Sequence, residues 1–417
     1  MPSHSLPIKR RRALALALGG ASLIPGCRRQ ESRKAAETAA AGATPKTPPP
    51  AQLPQAKAPP PEGAALTPVR VDPSLEIRTL TGLRPFRPSG FVVRREEREG
   101  RTLIHNYGHG GGGMSLSWGC AHLAVRMEES VVGKYCAVIG GGVMGLSTAW
   151  LLLQRGAHVT LYTRDLPPHT TSNIAGAQWW PVSVYDGPRR TEAFSAQFIE
   201  AANFAHRYFQ NLVGPRWGVR WLPNYYLSEG EPANGWLSGP GSALHHLQIG
   251  FRDFGPGGHV FPARHVRRFY SMLIEPATYL ATLLRDVRAA GARLEIREFA
   301  SAEEILRLPQ SLIFHCSGLG ARTLFGDEEL IPAKGQLSVL MPQPEVAYNL
   351  ITDLFYMFPR SDGIILGGTF ERGATDLAPD PAARQAMLDG HRALFAKMAE
   401  AQHAIREGNL SEKSAGN

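Results

Sequence analysis

The stretch Tyr135 to Asp165, YCAVIGGGVMGLSTAWLLLQRGAHVTLYTRD, decides how the chain is read. Val138 and Ile139 close an apolar run of strand type. Gly140, Gly142 and Gly145 follow as G-x-G-x-x-G, and Val143 opens a helical stretch that stops at Gly156. A second apolar run, His158 to Tyr162, ends at Thr163-Arg164-Asp165. Strand, glycine turn, helix and strand form the order of a dinucleotide-binding βαβ unit. The first glycine makes the tight turn, the second admits a pyrophosphate, and the third lets helix and strand pack closely. The helix N-terminus, where Val143 and Met144 sit, then points its free N–H groups at the phosphates. Asp165, about 20 residues beyond the glycines, stands where an acid would hold a ribose hydroxyl. The expected fold class is α/β.

The chain around this unit is long enough, at 417 residues with 43% hydrophobic, for a two-domain core. Its net charge of +9 is concentrated at the start, where eight basic residues in 1–34 face the single acid Glu31. The basic balance therefore describes the N-terminus and does not imply a nucleic-acid partner. Residues 1–26 look like an export signal: Arg10-Arg11-Arg12 precede an uncharged stretch too short to span a bilayer, in the manner of a twin-arginine signal. Leu23 to Cys27 resembles a lipobox, so Cys27 is either a lipidated membrane tether or lost by plain cleavage and release. Residues 27–68 are expected to form an Ala/Pro-rich linker. Cys27, Cys120, Cys136 and Cys316 lack zinc-ligand spacing, and no metal site is expected.

Further motifs flank the βαβ unit. Thr81 to Pro88 reads as a turn-rich stretch, Phe91-Val92-Val93 and Thr102-Leu103-Ile104 as short strands. Gly110 to Gly113 then run into a helix with Met114, Trp118, Ala121 and Val125 on one face. Glycines entering a helix N-terminus suit an anion or an electron-rich ring carbonyl, or form a flexible loop. After the unit, Thr170-Thr171-Ser172 precede Ala177 and Gln178; the hydroxyls suit a phosphate or an ordinary capped turn. Helices are expected over Phe194–Phe209, Pro276–Ala290 and Pro381–Gln402. Strands are expected over Trp221–Leu227, at Leu337–Leu340 and Ile364–Leu366, and at Ser311–Cys316, which runs into Ser317-Gly318.

Together these pieces resemble the D-amino-acid oxidase family of FAD enzymes. The resemblance lies in VIGGGVMGLSTA at 138–149, HTTSNIAGAQWWP at 169–181, HCSGLGA at 315–321, PAKGQ at 332–336, LGGTF at 366–370, TGLRPFRP at 81–88 and HNYGHGGGGMSLSWGCA at 105–121. In the family the last two follow LGG-x-F; here they come first, so the chain looks circularly permuted, with new ends near Val69 and Gln402. The resemblance implies FAD in a Rossmann-type domain and a second α+β domain with a mostly antiparallel sheet. The division expected is 69–190 with 300–335 for FAD, 191–299 with 336–403 for substrate, and 404–417 as a tail.

Carried over, Gly140, Gly142 and Gly145 meet the pyrophosphate, and Thr170, Thr171 and Ser172 hold phosphates. Ala177 and Gln178 bring backbone near the reactive flavin nitrogen. Gly112, Gly113, Met114 and Ser115 stabilise the N1–C2=O end, and Gly82 offers its carbonyl to the substrate amine. The family's ribose-binding acid aligns with Arg164, one place from Asp165. Its carboxylate-clamping arginine aligns near Asn349, which leaves Arg264, Arg267, Arg268 or Arg372 as substitutes. His265 and Tyr270 are the side chains to test for catalysis. The implied reaction takes hydride from the carbon of a C–N bond of a small-molecule amine or amino acid, with O2 or another acceptor reoxidising the flavin. The alternatives are a glycine/sarcosine-type secondary-amine oxidase or dehydrogenase, and a non-catalytic flavin-binding lipoprotein. Export places the protein outside the cytoplasm.

Overall fold

The computed structural model describes residues 60–415 except Ala177, with side chains to residue 407. The export signal, Cys27 and residues 27–59 of the linker lie outside the described residues. The chain enters the described part through β1 (Glu76–Phe86), β2 (Val92–Arg98), β3 (Arg101–Tyr107) and α1 (Gly113–Arg126). The βαβ unit follows as β4 (Tyr135–Ile139), α2 (Val143–Gln154) and β5 (His158–Thr163). Next come α3 (Glu192–Gln210), β6 (Val219–Ser228), β7 (Ile249–Phe254), β8 (His265–Ile274), α4 (Pro276–Ala289) and β9 (Arg293–Ile296). The short α5 (Ala302–Leu306), β10 (Leu312–His315) and α6 (Gly320–Phe325) lead into β11 (Ile331–Leu340), β12 (Asn349–Ile351), β13 (Tyr356–Arg360), β14 (Gly363–Gly367) and β15 (Glu371–Arg372). The chain closes with α7 (Pro381–Ala415).

Two sheets organise these elements. The smaller runs β2-β3-β10-β4-β5-β9 and is parallel from β3 onward, with β2 hairpinned onto β3. β10 and β4 are largely apolar because both faces of a parallel sheet are covered; α1 packs on α2 and α3, and α4 on α2. Trp118, Leu146, Phe198 and Tyr279 share that core. The larger sheet runs β1-β11-β14-β13-β12-β6-β8-β7, with β15 also on β11, and is antiparallel except for the β12–β6 pair. One of its faces holds Leu222, Leu273, Leu337, Val339, Phe358 and Ile365, and the other packs under α7 through Leu350, Met357, Leu366 and Met398.

Three expectations change here. Thr81–Pro88 is mostly strand rather than turn: its prolines are tolerated because β1 is an edge strand, where a missing N–H costs no ladder bond, and Pro85 pairs with Pro332. The domain division also shifts. β1 joins the larger sheet, β9 the smaller one, and β11 runs straight across the expected boundary at 335. The linker, finally, ends before 68. Tyr225 and Arg268 donate to the Glu62 carboxylate at 2.6 and 3.0 Å, and Gln402 donates to the Gly63 and Leu66 carbonyls at 2.8 Å each. Among the described residues no helix is long and apolar enough to cross a membrane.

Candidate functional site

The carboxyl ends of β4, β5 and β10 open onto one crevice, where an α/β sheet places its ligands. Gly140 turns there with φ +114°, and its N–H donates to Tyr162 O at 2.8 Å. A Cβ on Gly145 would fall 1.8 Å from Gly140 O, so this glycine is what lets α2 lie on the turn. Gly142 caps α2 with extended backbone and no side-chain capping bond. At this helix end Ser172 Oγ accepts from Val143 N at 3.0 Å. Thr171 and Ser172 lie in a 3-10 turn, Thr171–Ile174, and Thr170 Oγ1 bonds Asn173 Oδ1 at 2.8 Å.

The other expected cofactor residues converge on the same place. Met144 Cε approaches Gly113, so the first turns of α1 and α2 meet. Gly112 caps α1 without a side-chain bond, and Ser115 Oγ turns back onto Gly112 O at 3.1 Å. Gly318 stands against Pro85 of β1, and Ser317 Oγ lies 2.6 Å from His315 Nε2. Asp165 ends the βαβ unit, where Arg164 Nε donates to it at 2.8 Å and Arg164 Nη1 to Glu298 at 3.2 Å. Ala177 lies outside the described residues; its neighbour Gln178 bridges to Leu273 and buries its Oε1 without a partner.

The larger sheet roofs this crevice. Gly82 of β1 lies against Ile174. Arg84, two residues on and therefore on the same face, lies flat across β11: a Cβ on Gly335 would sit 2.2 Å from Arg84 Nη1. From the other side Tyr356 of β13 leans over β14, where a Cβ on Gly367 would sit 2.2 Å from its ring. Guanidinium and phenol thus approach each other over two glycines of adjacent strands. Burial pushes the Tyr356 hydroxyl up, while the charges of Arg84 and Arg360 pull against it. Gly176 closes the arrangement from above, within van der Waals reach of Tyr356 and Phe358.

The arginines considered from the sequence are engaged elsewhere. Arg267 is bidentate to Asp253, Arg268 binds Glu62, Arg372 is bidentate to Asp186, and Arg264 is exposed. Arg360 forks onto Asp362. Arg84 has no carboxylate within ion-pair distance among the described residues; it donates to Thr369 O at 3.2 Å. The structure does not bring His265 or Tyr270 to this cluster. His265 begins β8, eight residues and about 26 Å from the Leu273 bridge to Gln178. Tyr270 is exposed and lies on the opposite face from Ser271, whose hydroxyl donates to Trp179 O at 2.8 Å.

A buried histidine chain runs behind the crevice. His315 Nδ1 lies 3.0 Å from His105 Nδ1, and His105 Nε2 lies 3.3 Å from Glu96. Burial pushes both imidazoles down, and it lowers His109 to about 3 and His206 to about 4. In the unfolded chain each titrates near 6.5. Above that pH both states are neutral; below it the unfolded chain takes up protons that the native core refuses. Stability is therefore greatest above pH 6.5 and falls on acidification, by about 1.4 kcal/mol per pH unit for each of His109 and His206, down to about pH 4. Urea unfolding at pH 7.5, 6 and 5 measures this, and His206→Gln should remove one histidine's share of the slope. A profile flat across that range contradicts it.

Fold and crevice define a dinucleotide-binding α/β protein roofed by an antiparallel sheet. The sequence pattern of the DAO family, FAD dependent oxidoreductase, matches residues 136–411. The chain is 33% identical over 269 residues to the D-amino-acid oxidase of Rubrobacter xylanophilus, covering 63% of this chain and 77% of that protein. It is 29% identical over 279 residues to the D-amino-acid oxidase of Streptomyces coelicolor, covering 64% and 79%. A solved glycine oxidase from Bacillus cereus superposes with a TM-score of 0.47 at 15% identity, over 64% of this chain and 79% of that one. The protein belongs to the DAO family of FAD-dependent oxidoreductases, and FAD is its cofactor. The residues present fit that group. Two helix ends whose N-cap residues are glycines face one crevice, an open cradle lies at Gly142, and Gln178 leaves a buried oxygen unpaired.

Proposed function

We propose that this oxidoreductase takes hydride from the Cα of a D-amino acid or a closely related amine, and that Arg84 and Tyr356 hold the substrate carboxylate. The observation that carries the reading is the Arg84 guanidinium, without a carboxylate partner among the described residues, meeting Tyr356 over Gly335 and Gly367. A guanidinium fork matches a carboxylate in two parallel bonds, and the phenol donates a third. With the carboxylate fixed on the roof, the Cα–H is turned toward the crevice floor, and positioning of this kind supplies much of the rate. Held at the two helix ends, FAD would supply the two-electron acceptor for that hydride. The amine nitrogen supplies the electrons for the new C=N bond, so an amine that arrives neutral needs no side-chain base. Water then splits the imine to a carbonyl and the free nitrogen base, and O2 or another acceptor takes the two electrons. The names of the Rubrobacter and Streptomyces relatives support this choice of substrate. An asparagine at the place of the family's arginine, Asn349, favours a secondary-amine oxidase or a non-catalytic scaffold; Arg84 removes that ground.

Anaerobic mixing of the holoenzyme with D-amino acids, then N-methylated amines, tests the reading through the visible flavin absorbance. Bleaching by D-amino acids is expected; bleaching by N-methylated amines alone reassigns the substrate, and none with either class rejects the reading.

We also read the chain as circularly permuted and exported. β3 and α1, from the stretch the family carries late, build into the sheet of β4 and pack on α2. The family match begins at Cys136, as β4 starts. The bonds from Gln402 to Gly63 and Leu66 support the reading, since they hold the two ends of the described chain near each other. The arginine run before the apolar N-terminal stretch supports a twin-arginine route, with Cys27 as the tether.

A further inference from the structure

Two asparagines on the roof are built for a ligand group that neither the fold nor the oxidation chemistry requires. Asn349 of β12 and Asn224 of β6 are register partners, 0% and 1% exposed, and all four of their side-chain polar atoms lack a partner. Both lie on the face toward the crevice. Asn224 pairs with Phe269, which packs on Trp180 at 4.9 Å, and it follows Leu222 by two residues; Asn349 is flanked by the strand of Tyr356 and Phe358. Gln178, on the segment above, buries a third unpaired carboxamide oxygen. A buried polar group left unmade costs its full desolvation penalty, so adjacent carboxamides with every atom unpaired, on an otherwise apolar face, mark a place where a polar group docks.

The chemistry of that group follows from what surrounds it. Apart from Arg84, which the clamp uses, the charged side chains of this face are spent: Arg360 on Asp362 and Arg220 on Glu275. With no free charge to meet, an ionised end would be buried unpaired. Two carboxamides instead offer paired donors and acceptors, which a carboxamide or ureido group matches on both counts. We propose that Asn224 and Asn349 form the subsite for the far end of the substrate side chain, and that this end is an uncharged group that both donates and accepts hydrogen bonds. The inference rests on the carboxylate clamp at Arg84, which fixes the near end about three strands away.

The test uses the holoenzyme and three unreactive acids of matched length, chosen to span about three strands: 8-carbamoyloctanoate, 9-methyldecanoate and nonanedioate, each titrated against the flavin spectrum. Wild type should bind the carbamoyl acid at least about tenfold more tightly than either other acid. Asn349→Leu and Asn224→Leu should remove that preference while leaving 9-methyldecanoate as tight or tighter. No preference in wild type, or a preference that survives both substitutions, overturns the subsite. Equal losses for all three acids do the same, since a merely structural pair would give them. Where a leucine variant fails to fold, the wild-type order decides. Bleaching by D-amino acids without an amide preference rejects the subsite alone; an Asn-dependent amide preference without bleaching rejects the oxidation reading alone.

Discussion

Arg84→Leu is expected to lower kcat/KM for a D-amino acid by about 10³-fold, because truncating one partner of a buried charge pair costs roughly 4 kcal/mol. Arg84→Lys keeps the charge but loses the planar fork, and should fall between wild type and leucine. Neither change should move thermal stability by more than about 0.5 kcal/mol: Arg84 is half-buried, has no carboxylate partner among the described residues, and makes one bond to a carbonyl. Flavin content should be unchanged, since the guanidinium lies on the roof side of Gly82. An amine without a carboxylate should react no more slowly with the leucine variant than with wild type. Steady-state kinetics on the two substrate types separates the clamp from a general weakening of the site. A loss of only a few-fold on the D-amino acid would move the clamp elsewhere.

The two halves of the site were unequally legible for a physical reason. The cofactor half is written locally: turn, cradle and helix end fall within Gly140–Gly145, and the strands on either side are its immediate neighbours. The roof is assembled from strands far apart in the chain, and only sheet order brings Arg84 of β1 and Tyr356 of β13 over Gly335 and Gly367. The prolines of Thr81–Pro88 suggested a turn and hid the parity that puts Leu80, Gly82 and Arg84 on one face. Read as an edge strand, the same residues would have offered the arginine. Parity also decides Tyr270, chosen for its residue type: Phe269 and Ser271 face the crevice, and Tyr270 does not. Glu62 and Leu66 show the converse error, because Ala/Pro-rich composition says little about which backbone carbonyls a later helix will claim.

Gly142→Asp separates folding from cofactor binding at the one position where they make opposite demands. Gly142 has φ −77° and ψ −175°, extended backbone that any residue adopts, and aspartate is among the best helix N-caps. A Cβ there would meet only Ser172 Oγ, at 3.2 Å. The apoprotein should therefore melt within about 1 kcal/mol of wild type, or slightly above it. The new carboxylate would occupy the end of α2 that is otherwise open to a pyrophosphate. Two like charges about 4 Å apart near a protein surface repel by roughly 4 kcal/mol, so FAD affinity should fall by about 10³-fold and the protein should purify nearly colourless. Gly145→Val offers the contrast: its side chain collides with Gly140 O, so fold and flavin should fail together. Flavin content by absorbance, FAD affinity by fluorescence titration and an apoprotein melt read the two demands independently. A yellow, tightly binding Gly142→Asp protein would mean that the pyrophosphate does not lie at the N-terminus of α2, whatever the glycine spacing suggests.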